Sequence, residues 1–181
     1  AQGPCVARFD TARLLELNQV DPMITLATVP NYTQMAAGGM IATVKIISYG
    51  VPYAALERAC DLGRGAVNVA VPVFDNAGLI ITDIPGGPGV KGADAIEARL
   101  QALGMVLHSK VIVQHRVAPL AEAISECNAD MILILTGSAT SDAMDVAPEA
   151  LRVAGGEVTR FGMPVDPGNL LFIGRLQGAE V

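Results

Sequence analysis

From residue 79 onward, short apolar runs alternate with segments whose apolar residues recur at helical spacing. LIITDI (79–84), VLHSKVIV (106–113) and MILIL (131–135) are predicted strands. ADAIEARLQALG (93–104) and APLAEAISECN (118–128) between them are predicted helices. DVAPEALRVAG (145–155) continues the pattern as a helix. Two further strands, EVTRFGM (157–163) and LLFIGRL (170–176), flank a turn at VDPGN (165–169). Strands and helices in alternation, joined by short connections, predict an α/β fold of three layers: a mostly parallel sheet flanked by helices.

Upstream the rhythm is weaker. IATVKII (41–47) alternates as a strand does. VPYAALERACDLG (51–63) has Pro in its first turn and Gly at its end, as helices prefer. AVNVAVPVF (66–74) is strand-like, but Pro72 assigns it to an edge or a connection. DTARLLELNQV (10–20) predicts a helix capped by Asp10. The two X-Pro breaks and the Gly pair that follow predict loops and one short strand. The expected organisation is a small irregular N-terminal or linking region, 1–78, with strand 41–47 and a helix through 51–61, then an α/β domain, 79–181.

Composition sharpens this picture. Hydrophobic residues make up 51% of the 181 and charged ones 17%. The mean hydropathy is +0.44. This suits strands buried on both faces. No apolar run approaches the ~20 residues that span a bilayer, so no membrane partner is expected. The chain opens without a basic and then apolar leader, so no secretory signal is expected. A net charge of −6 without a Lys/Arg cluster argues against nucleic acid. An anionic small ligand remains open, because N–H groups at a helix start bind anions without net positive charge. The three cysteines, Cys5, Cys60 and Cys127, are far apart and predict free thiols in a reducing cytoplasm. His108 and His115 read as surface or strand-end residues, and Cys127 as a packing residue. Met105, Met131 and Met163 read as core fillers.

Ligands of open parallel sheets gather at the carboxyl ends of the strands. Two loops there carry distinctive chemistry. TDIPGGPGVKG (82–92) offers Asp83, the glycines Gly86, Gly87, Gly89 and Gly92, and the cation Lys91. It matches neither the dinucleotide fingerprint nor a P-loop. TGSATSDAMD (136–145) offers Gly137, the hydroxyls of Ser138, Thr140 and Ser141, and the carboxylates Asp142 and Asp145. Asp145 stands where the next helix begins, which suits an N-cap. A divalent cation bridged to phosphate is the other role open to it. Segments 84–92 and 137–145 are expected side by side at one rim of the sheet, with a polar hollow between them.

The segment LILTGSATSDAMDVAPEAL resembles the strand–loop–helix of the molybdopterin-binding (MoeA/MogA-like) family, in which a glycine-containing loop leads to an aspartate that opens a helix. AGGEVTRFGMPVDPGNLLFIGRLQG is similar to the family's next segment, with Pro167 and Gly168 at its Pro-Gly turn. LIITDIPGGPGVKGADAIEARLQALG aligns with its first strand, ligand-facing loop and helix. The likeness spans residues 79–181. Residues 1–78 resemble the linking region of a subgroup fused to a molybdenum-cofactor cytidylyltransferase-type domain. The resemblance implies binding of molybdopterin in molybdenum cofactor biosynthesis, with Asp145 as the functional aspartate and ligand to Mg2+. Its implied partners are molybdenum-cofactor enzymes or a cytidylyltransferase domain, and homo-oligomer formation stays open. Three positions depart from the family's pattern. Ser138 stands for the second loop glycine, Val90 and Lys91 stand where an acidic residue is usual, and Asp166 and Asn169 flank the Pro-Gly turn without its lysine. Two other readings stay open: a Mg-dependent enzyme of molybdenum insertion or nucleotidyl transfer, and an interaction module of the same fold without ligand.

Overall fold

The computed structural model describes residues 1–181, which form two compact units, Ala1–Val73 and Phe74–Val181. The first contains β1 (Cys5–Phe9), α1 (Thr11–Leu17), β2 (Ile24–Thr28), β3 (Gln34–Met35), β4 (Ala42–Ile46), α2 (Tyr53–Gly63) and β5 (Val67–Ala70). Its strands make a sheet of order β3-β1-β5 and a β2-β4 pair, both antiparallel. Asp10 caps α1 by accepting the Arg13 N–H at 3.1 Å. Asn18 ties α1 to β2, donating to the Leu26 carbonyl at 2.9 Å and accepting the Leu26 N–H at 2.8 Å. This part is therefore regular, where an irregular region was expected. The strand that organises it, β1, buries Cys5 and Ala7. Its main partner, β5, lies about sixty residues away, a pairing that local periodicity does not reveal. The expected strand 66–74 is cut to Val67–Ala70, before Pro72, which has no N–H to give a ladder.

The second unit comprises β6 (Asn76–Asp83), α3 (Ala93–Ala102), β7 (Val106–Gln114), α4 (Val117–Glu126), β8 (Met131–Leu135), α5 (Val146–Val153), β9 (Glu157–Phe161), β10 (Phe172–Leu176) and β11 (Ala179–Glu180). Its six strands run in the order β7-β6-β8-β11-β10-β9. The first three junctions are parallel and the last two antiparallel. It is a mixed α/β unit with a mostly parallel sheet flanked by helices. The two-residue period of β6 divides the layers. Ala77, Leu79 and Ile81 pack toward Ala93 and Leu100 of α3. Ile80 and Ile132 instead pack with Leu120 and Ile124 of α4 and Ala147 and Leu151 of α5.

Two features lay outside the periodic pattern. β6 starts at Asn76 rather than 79, where Asp130 anchors the backbone of Asp75 and Asn76. One Asp130 oxygen accepts the N–H of Asp75 at 3.0 Å, that of Asn76 at 3.2 Å and the Asn76 side-chain amide at 2.9 Å. The short β11 follows a two-residue turn in which Gln177 (φ 48°) and Gly178 (φ 98°) are both left-handed, the backbone that suits a tight hairpin. β11 pairs with β8 on one side and β10 on the other, and so joins the parallel and antiparallel halves.

Candidate functional site

β6 and β8 are hydrogen-bonded parallel neighbours, with Ile81 opposite Leu135. Their carboxyl ends therefore share one rim, and the loops 84–92 and 136–145 leave it side by side. Contact between the loops is close because of glycine. The Gly137 N–H donates to Thr82 Oγ1 at 2.8 Å, and a Cβ on Gly137 would lie 2.7 Å from the Thr82 carbonyl oxygen. On the facing loop, a Cβ on Gly87 would meet Ile84 Cγ1 at 2.5 Å and the Gly137 carbonyl oxygen at 3.4 Å.

The loops thus abut at Gly87 and Gly137, where the close approach leaves no room for a side chain between them. Open space lies to one side instead, on the α3 face of the sheet. A cavity of about 560 Å3 there is lined largely by apolar residues, among them Leu100, Met131, Leu133, Leu171 and Phe172. Thr136, Thr140 and Arg99 supply its polar positions. This volume falls within the usual range for small-molecule sites.

Asp145 is the best-defined polar group of the second loop. Its Oδ1 accepts the Val146 N–H at 2.7 Å and its Oδ2 accepts the Ser141 N–H at 2.8 Å. It caps α5 and also closes the loop 141–145 on itself. Donation from Ser141, then from Val146, holds the carboxyl below its ordinary value of 3.8; partial burial opposes this, and the His115 charge adds a smaller lowering. No group of three or more His, Cys, Asp or Glu side chains gathers here or elsewhere in the chain.

Other residues singled out from the sequence lie at varied distance from this centre. Gly86 (φ 75°) is left-handed, and a Cβ on it would meet nothing within 4 Å. Lys91 is exposed one residue before Gly92, which starts α3 without any side-chain cap. Ser138 and Ser141 are exposed, and Thr140 faces the apolar cavity. Asp83 lines a different cleft, with Ile84, Pro85, His115 and Arg116. Pro167 and Gly168 lie in the exposed connection between β9 and β10, after a cis Asp166–Pro167 bond. Of that connection, Leu170 and Leu171 reach the cavity of Thr136 and Thr140.

His115 was expected to be a surface or strand-end residue; it does stand at a strand end, and it also makes two side-chain contacts that the sequence does not show. It follows the end of β7, where its N–H donates to the Asp83 carbonyl at 3.0 Å. Its Nδ1 lies 2.8 Å from Thr82 Oγ1 and its Nε2 lies 3.0 Å from Ser138 Oγ. A single imidazole thus connects the ends of β6, β7 and β8. Its only trace in the sequence is its place just past a strand, at the rim where the two loops were already expected. Thr82, its partner, is 0% exposed and reads in sequence as one more strand residue. Cys127 packs on β6, where a Cβ on Gly78 would collide with its sulfur.

No protein-family model matches the chain, and neither does any curated protein.

Proposed function

We propose that residues 74–181 bind molybdopterin as a step in molybdenum cofactor biosynthesis. The observation that carries this reading is the abutment of two glycine-containing loops at the carboxyl rim of β6 and β8, beside a cavity of about 560 Å3. The resemblance of the motif order over 79–181 to that of the molybdopterin-binding family is its support in the sequence. An apolar cavity with a few hydroxyls suits a planar heterocycle. The exposed Lys91, the uncapped start of α3 and the hydroxyls of Ser138 and Ser141 suit the phosphate at its other end.

Mg2+ would complement that phosphate. Asp145 would be the carboxylate to hold it; both its oxygens already accept backbone N–H groups, and no cluster of acidic or histidine side chains joins it. The chain's own contribution is to orient the phosphate against the loops and keep the heterocycle from water.

The test is an anaerobic titration of the protein with purified molybdopterin. The wild type should bind, and Lys91→Ala and Thr140→Val should each weaken binding about three- to tenfold, the effect of one lost contact. Absence of binding by the wild type, or equal affinity in all three proteins, would reject the reading. Lys91 is exposed, so its replacement leaves the fold intact.

A further inference from the structure

Thr82, His115 and Ser138 resemble a nucleophile–base arrangement, with a serine hydroxyl 3.0 Å from an imidazole nitrogen. Counting hydrogens reverses that reading. Thr82 Oγ1 is buried and has two partners: the Gly137 N–H, which donates to it, and His115 Nδ1. A hydroxyl carries one hydrogen, and a buried one must find an acceptor. The backbone N–H cannot accept, so the Thr82 hydrogen goes to Nδ1. The ring hydrogen is then on Nε2 and points at Ser138 Oγ. In that tautomer Ser138 accepts from the imidazole instead of donating to it, and its own hydrogen is free to donate from an exposed position on the loop.

We infer that His115 is a positioning residue, held by Thr82 as its Nε2–H tautomer, which makes Ser138 a directed donor selecting an acceptor oxygen of the ligand, such as a phosphate oxygen. This deepens the proposed function and rests on it only for the identity of the whole ligand. It also assigns Ser138 a binding role and no nucleophilic one, since no base is left to take its proton.

Two measurements test the inference. Nitrogen-15 NMR of the histidine rings in the ligand-free protein, followed to a pH where the rings are neutral, should show His115 protonated at Nε2 and bare at Nδ1. The opposite pattern overturns the inference. The second uses inorganic phosphate as the probe, with the wild type, Ser138→Ala, His115→Asn, His115→Gln and the Ser138→Ala/His115→Asn double variant. Asn keeps a side-chain amide near the Nδ1 position for Thr82 but leaves Ser138 unsupported. Gln places a donor near Nε2. Ser138→Ala and His115→Asn should each lower phosphate affinity about tenfold, the double variant should lose no more than either alone, and His115→Gln should recover most of the loss. Additive losses overturn the inference, as does a wild type that fails to bind phosphate. Phosphate binding with coupled losses, in a protein that ignores molybdopterin, would leave the inference standing and remove the proposed function.

Discussion

Asp145 carries two tasks with one carboxylate, since its oxygens accept N–H groups from both ends of a turn. Asp145→Ala should cost about 0.5–2 kcal/mol of stability at neutral pH, the usual loss for a removed cap, as measured by urea unfolding. The sign of the pH dependence follows from the lowered pKa. A carboxylate whose folded pKa is below its ordinary 3.8 contributes fully above that value and loses its contribution as pH falls through the folded pKa. The stability gap between wild type and Asp145→Ala should therefore shrink in acid below about pH 3.8. A gap that stays constant with pH would show that the charge contributes nothing. The capping role was legible from an Asp ahead of VAPEAL. The second bond, back to Ser141, depends on how the loop curls and was not.

Among the elements, the loop after β8 is held to β6 by Gly137. Gly137→Ala would set a methyl group 2.7 Å from a backbone oxygen that cannot swing away. We expect a loss of about 1–3 kcal/mol, the usual range for overpacking, together with release of the loop. Faster amide exchange at residues 137–141 would report that release. Unchanged exchange would mean that the loop does not need the close approach. Helix α5 gives the opposite kind of prediction. Leu151 is 0% exposed within the core shared with α4, β6 and β8, so Leu151→Ala should cost about 2–5 kcal/mol through the cavity it leaves. Thermal or urea unfolding checks it. Strand β8 and helix α5 were readable from MILIL and VAPEALRV because each carries its own period. The β6 start and β11 were not: a distant carboxylate anchors the first, and a left-handed turn leads into the second.

For the whole molecule, Phe74–Val181 owns a core with residues from both faces of its sheet. Expressed alone, it should fold and unfold cooperatively, with near-UV circular dichroism and one melting transition. A broad transition would show that residues 1–73 are needed. No helix is long and apolar enough to cross a membrane.

Local order was within reach of the sequence alone. Apolar runs and helical spacing set which segments of 79–181 are strands and helices. Their alternation implied a mostly parallel sheet, and two loops rich in glycine and hydroxyls were expected at its carboxyl rim. Those properties are written in neighbouring residues, where period and capping act. Tertiary structure alone decided the order of the strands, the pairing of β1 with β5, the opening of a cavity on the α3 face, and the meeting of His115 with Thr82 and Ser138. Each of these is a meeting of residues far apart along the chain: Thr82, His115 and Ser138 have no shared period. Only the packing of three parallel strands brings their ends within hydrogen-bonding distance.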